Sequence, residues 1–287
     1  MTLTKVNLKP GIQKQTSDLG ASGGYIDCDN VRFRYGLPEK IGGWDKTTTN
    51  TLIGVVRDAH HWVSLDGTRL AALGTDKKLY IYANDILYDI TPIRQTNTAV
   101  SSIFTTANGT PNVTVNVNGH GANEGDIVTF SGTTSLSGTS FTAENFDRSF
   151  EIQSVTSTNA FVIQQDANET TGTVTTGTAT AKFDINSAPA FSTFGYGWGT
   201  STWNTSTWNT PRSSSSVTLN GRDWSIDNFG ELMIATALDG STFQWSPTTD
   251  GLTGKASAVT GAPTASKFSL VSTPDRHLIL FGTEKTI

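Results

Sequence analysis

A strand-turn-strand pattern that recurs along the chain is the feature that most restricts its fold. The clearest copy runs from Trp224 to Trp245, where an apolar run at 232–236 and an alternating run at 242–245 flank Asp239 and Gly240. These runs predict a buried strand followed by a half-buried strand, and the Asp-Gly pair supplies the positive φ angle that a tight hairpin needs. The pattern predicts a β-hairpin at 224–245.

Two further copies of the pattern lie at 61–82 and 268–282, and Ile53 to Val56 form a candidate strand ahead of the first. The 45 residues from Ile234 to Ile279 match the length of one four-stranded propeller blade. We therefore predict an all-β fold built on a β-propeller-type platform. About 200 residues at about 45 per blade give only about four blades, which leaves open whether this is the N-terminal portion of a longer protein.

A change in composition predicts a domain inserted into that platform. No lysine lies between Lys78 and Lys182 and no tryptophan between Trp62 and Trp198, while Thr, Ser and Asn dominate. We expect an extended N-terminal arm at 1–24, platform parts at 25–96 and 217–287, and a Trp/Gly/Ser-rich loop at 184–216. The insertion at 97–183 reads as a small β-barrel or sandwich of about five to six strands, with its Phe150 to Val155 stretch as one strand.

Composition also excludes several classes of protein. The net charge of −5 gives no support to an ordinary basic nucleic-acid surface. A single cysteine, Cys28, excludes an intramolecular disulfide and a Cys-based zinc site. The absence of a signal-peptide pattern and of any run of 18 apolar residues predicts synthesis in the cytoplasm and no membrane insertion by this chain.

Motifs for catalysis, cofactors and metals are missing, so we expect neither an enzyme nor a cofactor. Asp27 and Asp29 would share one face of a strand and could bind a hard cation, but the glycine and terminal glutamate of a calcium loop are absent. Hydrogen-bonding acids at a turn or strand edge are the favoured interpretation. Asp223, Asp227 and Glu231 form the best carboxylate group for glycoside hydrolysis, although Asp227 is expected in a turn where it shapes the backbone.

The histidines and the candidate interaction residues can also be explained by purely structural roles. His60 and His61 are expected at a strand end, and His120, between two glycines, is expected to cap a turn. Arg32 and Arg34 alternate with Val31, Phe33 and Tyr35 on a predicted half-buried strand, followed by a turn at 36–38. The two arginines could face a DNA-filled lumen or an acidic partner, or simply form a solvated strand face.

The tryptophans of the 184–216 loop are the other candidate interaction residues. Trp198, Trp203 and Trp208 recur at a five-residue spacing that fits neither helix nor strand. They could stack on sugars or bases, or contact another protein subunit. Because basic residues are nearly absent there, a protein contact is favoured over nucleic acid.

Several phrases of the sequence resemble a known family. They are Asn7-Leu-Lys-Pro-Gly-Ile12, the stretch from Asp27 to Trp44 that ends in Gly-Leu-Pro-Glu-Lys-Ile-Gly-Gly-Trp, and Trp224-Ser-Ile-Asp-Asn-Phe-Gly-Glu-Leu232. Together with the Thr-Trp-Asn-Thr repeats, they resemble tail nozzle proteins (tail tubular protein B) of short-tailed bacteriophages and their packaged-DNA-stabilisation and head-completion relatives. The stretch at 117–128 is similar to small β modules of phage structural proteins.

The resemblance implies a virion protein with a mechanical role. It implies a propeller protomer in a homo-oligomeric ring, a hexamer, that contacts adaptor or portal-side tail proteins and tail fibres. Packaged DNA would pass through the ring channel without sequence readout during retention and ejection. One rival is a tail protein that binds or cleaves carbohydrate for receptor recognition, and another is a non-viral adhesion or scaffold protein.

Overall fold

The computed structural model describes residues 8–43, 45–48, 50–188, 191–192 and 220–283. The predicted all-β class is confirmed, with 46% of residues in strands and 2% in helix. The chain divides into two compact units, Met1–Thr49 and Asn50–Ile287. In the described part of the chain, no helix is long and apolar enough to cross a membrane.

The first unit contains one hairpin, formed by β1 (Val31–Arg34) and β2 (Leu37–Lys40). Its turn is at Tyr35 and Gly36, which both have positive φ angles, so the predicted turn at 36–38 lies one residue too far along. Tyr35, expected on the half-buried face, is 92% exposed. Residues 18–23 of the predicted extended arm form turns, and Ala21 among them is buried.

The second unit begins with a four-stranded antiparallel sheet, which we name the first sheet. It consists of β3 (Val56–Val63), β4 (Arg69–Thr75), β5 (Leu79–Ala83) and β6 (Ile86–Asp89), paired in chain order. The predicted copy at 61–82 is therefore present, with Asp66 and Gly67 between β3 and β4, and it is followed by one further strand, β6. Residues 53–55 of the candidate leading strand lie outside β3, and His60 and His61 lie within it instead of at its end.

A seven-stranded curled sheet follows, which we name the curled sheet. Its strands are β7 (Ile93–Thr106), β8 (Asn112–Asn116), β9 (Ile127–Thr134), β10 (Ser149–Glu151), β11 (Ser154–Ser157), β12 (Ala160–Gln164) and β13 (Thr175–Asp184), with helix α1 (Ala143–Phe146) before β10. The order across the sheet is β10-β9-β13-β7-β8-β12-β11, and it curls into a half-barrel.

The curled sheet corrects the sequence prediction at Phe150 to Val155. This stretch forms two strands, β10 and β11, which pair at opposite ends of the sheet, with β9 and β12 respectively. The turn of the chain between them buries Ile152. The strand count is therefore seven, and β7, which sequence reasoning missed, is the longest.

A second four-stranded sheet is formed by β14 (Trp224–Phe229), β15 (Leu232–Ala237), β16 (Thr242–Trp245) and β17 (Ser257–Ala258). We name it the second sheet. Asp227 lies within β14, so its expected turn position is wrong. In the β15–β16 turn only Asp239 of the Asp-Gly pair has a positive φ, 60°. Three of the four β16 residues are buried, which corrects its half-buried prediction.

The chain then forms a final hairpin of β18 (Phe268–Val271) and β19 (Leu278–Phe281). Two separate hydrophobic cores stabilise the unit. One lies inside the curled sheet and includes stacked Phe104 and Phe146, with ring centroids 3.8 Å apart. The other lies between the first and second sheets.

Close approach of the first and second sheets depends on Gly74. A Cβ atom at this position of β4 would lie 2.5 Å from Cδ1 of Trp224. The indole N–H of Trp224 donates to the carbonyl oxygen of neighbouring Thr75 at 2.6 Å. The indole therefore lies directly on the β4 backbone, which only a glycine permits.

Candidate assembly interface

Three layers of β structure pack face to face in the second unit, and we name them together the sheet stack. The first sheet packs on the second sheet, and the final hairpin packs on the opposite face of the second sheet. The core between the first two layers consists mainly of large apolar side chains, which include Trp62, Leu70, Ile81, Trp224, Met233 and Trp245. The middle layer is therefore covered on both faces, whereas each outer layer has one face that the stack leaves uncovered.

The final hairpin is held on the second sheet by polar contacts. The hydroxyl of Ser225 on β14 donates to the carbonyl oxygen of Ser269 at 2.6 Å. The N–H of Val271 donates to the Asp227 carboxylate at 2.8 Å. Ser269 and Val271 are 2% and 6% exposed, so this face of the hairpin is buried against β14.

The opposite face of the hairpin is apolar and exposed. Phe268 pairs with Phe281 and Leu270 with Ile279, and directly opposite residues share one face of a sheet. These four side chains are 40–50% exposed. We name them the hairpin face. Covering their exposed halves would contribute roughly 4 kcal/mol, at 1.5–3 kcal/mol for each fully buried side chain.

The other end of the stack is the outer face of the first sheet, which is buried at Tyr80, where the hydroxyl accepts the Ile53 N–H, and exposed around His61. His61 pairs with Ala71, which pairs with Tyr82, so these three share a face. Two positions along β3, Val63 is 64% exposed. We name this surface the first-sheet face. Its charged neighbours are Arg69, which pairs with Val63, and Asp85, which accepts the Tyr82 hydroxyl at 2.7 Å. The surface mixes apolar, aromatic and polar groups, as protein interfaces do.

Side-chain hydrogen bonds join the first and second sheets of the stack. Nε2 of His60 lies 2.8 Å from Oδ1 of Asn228, and the His60 ring stacks on Trp62 at 5.9 Å. The Asp58 carboxylate accepts the N–H of Ile226 at 2.9 Å. Side chains of β3 therefore contact β14 directly.

Glu231 connects the same two sheets at their turns. Its carboxylate accepts the Leu65 N–H at 2.6 Å and the Ser64 hydroxyl at 2.9 Å. These hydrogen bonds, first that from the Leu65 backbone, lower the pKa of Glu231 below its usual value. A carboxylate that stays ionised in this way serves as a link between turns.

A buried cluster of charges lies where the first sheet, the curled sheet and the second sheet meet. The Lys78 ammonium is 2.6 Å from Asp89 and 3.2 Å from Asp184, and Lys255 is 2.9 Å from Asp89. The side chains of Lys78 and Asp184 are only 3% and 4% exposed. This charge cluster ties the end of β13 to β5 and β6.

The pKa values in the charge cluster follow from burial and pairing. Burial lowers the pKa of Lys78, but Asp184 and Asp89 outweigh it, so the net direction is upward. Burial raises the pKa of Asp89, but Lys78 and Lys255 outweigh it and bring it to about 2. Asp184 is more deeply buried, and its desolvation leaves its pKa raised. The raised pKa of Lys78 and the lowered pKa of Asp89 both favour the charged forms that pair with each other.

A second polar contact fixes the chain as it leaves the curled sheet. The buried Asp126 carboxylate accepts the Ser187 N–H and the Asn186 amide, both at 2.7 Å. Arg222, just before β14, donates to the carbonyl oxygen of Asn186. Burial raises the pKa of Asp126.

Of the five predicted interaction residues, the structure describes the two arginines but not the three tryptophans. Arg32 and Arg34 lie on the exposed face of β1. Arg32 pairs with Glu39 on β2 at 3.1 Å, and the Arg34 guanidinium lies 5.5 Å from the centre of the Tyr35 ring. Both therefore have partners within their own hairpin. Trp198, Trp203 and Trp208 lie outside the described residues.

The acidic residues considered above for metal binding or glycoside hydrolysis do not form a cluster in the structure. Asp27 and Asp29 precede β1 instead of lying in a strand, and Asp27 is 3.4 Å from Lys14. Asp223 accepts the N–H of Trp224, while Asp227 and Glu231 make the separate contacts given above. Over the described ranges, no three His, Cys, Asp or Glu residues are grouped as a metal would require.

His120 caps a turn as predicted. Its Nδ1 accepts the N–H of Ala122 at 3.1 Å, so its Nε2 carries the proton and donates to the carbonyl oxygen of Ser157 at 3.0 Å. The ring is 1% exposed and belongs to the core of the curled sheet.

Sequence reasoning missed the hairpin face and the charge cluster. The alternation at 268–271 separates the two faces of β18, but the unbroken apolar run at 278–281 conceals which face of β19 is outward. Lys78 follows Lys77 in a polar turn, a context that predicts solvation. Its burial depends on Asp184, more than 100 residues later, for which the sequence has no local signal.

Comparisons with known proteins add little to this geometry. No protein-family model matches the chain. No curated protein matches it. Among solved structures, a phage phi92 endosialidase is similar at a TM-score of 0.25 and 12% identity, over 85% of this chain and 43% of the endosialidase chain. This likeness is too weak to establish a shared architecture, and the chain spans less than half of that protein.

Proposed function

We propose that this protein is a structural subunit of a bacteriophage tail, and more specifically a subunit of the tail nozzle ring. The observation that carries the assembly role is the hairpin face, an exposed apolar surface at one end of the sheet stack. The family resemblance of the sequence phrases at 7–12, 27–44 and 224–232 supports the placement in a virion tail.

The proposed occupant of the hairpin face is a second copy of this chain, which contributes its first-sheet face. The two faces are at opposite ends of one stack and differ in composition, so pairing them joins copies head to tail. Head-to-tail contacts of this heterologous kind generate rings when the rotation closes. A hexamer is the ring order that the resemblance implies.

The subunit would act mechanically. In this proposal 25–96 and 217–287 form the platform and 97–183 is an inserted domain, which its separate hydrophobic core supports. Packaged DNA would pass through the ring without sequence readout, and the net charge of −5 favours sliding over binding. Adaptor or portal-side proteins and tail fibres would be its neighbours.

The test measures the mass of the purified protein in solution. We expect light scattering to give a multimer at micromolar concentration and electron microscopy to give a ring with a central channel. The double variant Leu270→Gln/Ile279→Gln should be monomeric. The matched control Val155→Gln, on an exposed position of the curled sheet, should retain the multimer. A wild-type monomer at all concentrations, or a multimer unaffected by the double variant, would contradict the proposal.

A further inference from the structure

Three asparagines of the chain, Asn108, Asn118 and Asn220, are each followed directly by a glycine. An asparagine in this setting can lose its side-chain amide, because the nitrogen of the following glycine, which no Cβ atom shields, can attack the side-chain carbonyl carbon. The reaction depends on the exposure of the pair and on the acceptor that holds the glycine N–H. The acceptor differs among the three pairs.

The Asn118-Gly119 pair is exposed in the turn that follows β8. Its flanking residues Val117 and His120 are each 1% exposed, so both ends of the turn are anchored in the core of the curled sheet. The two residues between these anchors face solvent. Water therefore reaches the pair in the folded protein, without any opening of the curled sheet.

A side-chain amide holds the Gly119 N–H. This N–H donates to Oδ1 of Asn159 at 3.0 Å, and Asn159 is itself exposed, in the turn between β11 and β12. The backbone of Asn159 is fixed, because its carbonyl oxygen accepts the Val117 N–H at 2.9 Å. The amide can still rotate into solvent about its side-chain torsions. That rotation frees the Gly119 nitrogen and leaves every strand pairing unchanged.

The Asn108-Gly109 pair is also exposed, but its glycine is held more firmly. The Gly109 N–H donates to the main-chain carbonyl oxygen of Glu169 at 2.8 Å. The Glu169 side chain is buried and hydrogen-bonded, so this acceptor cannot rotate away. We therefore expect Asn108 to react more slowly than Asn118.

Both reacting groups of the third pair are engaged. The Asn220 amide donates to the Asp239 carboxylate at 3.1 Å, and the Gly221 N–H donates to Oγ of Ser192 at 3.0 Å. Two contacts must break before this pair can react. At Asn118, by comparison, rotation of one exposed side chain is enough to free the glycine nitrogen.

We propose that Asn118 is a site of spontaneous deamidation and that Asn159 controls its rate. The Gly119 nitrogen forms a bond to Cγ of Asn118, the bond from Cγ to Nδ2 breaks, and the N–H proton leaves with Nδ2 as ammonia. Water then opens the resulting succinimide ring at either of its carbonyl carbons. Opening at Cγ leaves aspartate at position 118, and opening at the main-chain carbonyl leaves isoaspartate.

The products would alter the contacts between this turn and β7. The carbonyl oxygens of Gly119 and His120 accept hydrogen bonds from Gln95 at 3.4 Å and from Arg94 at 2.9 Å. Isoaspartate lengthens the main chain immediately before these two carbonyls, so the modified turn cannot keep both contacts unchanged. The inference concerns the curled sheet alone and does not depend on the ring assembly.

The test incubates the full chain in mildly alkaline buffer, which favours loss of the N–H proton, and follows deamidation by peptide mapping with mass spectrometry. We expect Asn118 to deamidate faster than Asn108 and Asn220. Asn159→Ala removes the acceptor and should raise the rate at Asn118 severalfold. The matched control Asn159→Asp keeps an acceptor oxygen, so the rate should stay at or below that of the wild type.

The rate at Asn108 in the same samples is an internal control for a general loosening of the fold. Asn159→Ala should leave that rate unchanged, and circular dichroism should show the same strand content in all variants. The proposal is overturned if Asn108 or Asn220 reacts faster than Asn118 in the wild type. It is also overturned if Asn159→Ala leaves the rate at Asn118 unchanged, or raises the rates at Asn118 and Asn108 equally.

Discussion

At the scale of single residues, Gly74 limits how closely the first and second sheets can pack. In Gly74→Ala the new methyl group would overlap the Trp224 indole, and overpacking of this kind costs about 1–3 kcal/mol. We expect the free energy of unfolding, from urea titration followed by tryptophan fluorescence, to fall by about 2 kcal/mol. Gly172→Ala, where the nearest atom is 3.7 Å away, should be close to neutral. Equal effects at both glycines would contradict this account.

The protonation of Glu169 should make the stability of the curled sheet depend on pH. Its 1% exposed carboxylate accepts hydrogen bonds from Ser140, Thr170 and Thr171. Burial raises its pKa, but the hydrogen bonds from Ser140 and others outweigh it and bring the pKa to about 2. Because the folded pKa is below the usual 4.5, the stabilisation is complete above about pH 4.5 and is lost as the pH falls toward 2.

Unfolding of the wild type and of Glu169→Gln at several pH values measures this contribution. We expect the variant to be less stable by about 2 kcal/mol at pH 7, because the amide cannot accept at both terminal atoms. The difference should shrink steadily between pH 4.5 and 2. A constant difference over that range would show that the carboxylate charge is not the stabilising feature.

At the scale of elements, Lys78 joins the first sheet to the curled sheet through its pairs with Asp89 and Asp184. Lys78→Met leaves the Asp184 carboxylate buried without its cation, and breaking a buried pair in this way costs about 3–5 kcal/mol. We expect a loss of about 3 kcal/mol in chemical unfolding, partly restored by the second change Asp184→Asn. Lys267→Met, which removes a more exposed pair with Asp239, should cost less than about 1 kcal/mol. A neutral Lys78→Met would contradict the structural role of the cluster.

Elements were predictable where local signals were strong. The hairpins around Asp66-Gly67 and Asp239-Gly240 follow from turn residues between apolar runs. Strand β12 follows from a short apolar run with turn residues on each side. The split of 149–157 into β10 and β11 was not predictable, because pairing at opposite ends of the sheet is a long-range property. Asp227 was misplaced since a polar Asp-Asn pair resembles a turn, although its carboxylate accepts a hydrogen bond from the hairpin.

The candidate assembly site was predictable only in part. Strands at 268–271 and 278–281 were expected. Which of their faces is exposed depends on the side that packs on β14, and the sequence has no local signal for that long-range contact. Arg32 and Arg34 were correctly expected on an exposed strand face, yet Glu39 as the partner of Arg32 requires the β1–β2 register. The charge cluster was missed altogether, because burial of a lysine depends on carboxylates far away in sequence.

At the scale of the whole molecule, the proposed ring requires copies to join head to tail through the two ends of the sheet stack. Disulfide trapping between two variants tests the geometry directly. In a Cys28→Ser background, one sample carries Ile279→Cys on the hairpin face and the other carries His61→Cys on the first-sheet face. Each sample is oxidised alone and as a mixture, and covalent dimers are quantified on non-reducing gels.

The yields of covalent dimer distinguish head-to-tail pairing from the pairing of like faces. Head-to-tail pairing predicts abundant disulfide dimers in the mixture and few in either sample alone, because a cysteine on one face meets only the other face. Dimers of the Ile279→Cys variant by itself would mean that hairpin faces pair with each other. That result, or the absence of dimers in the mixture, would contradict the proposed ring.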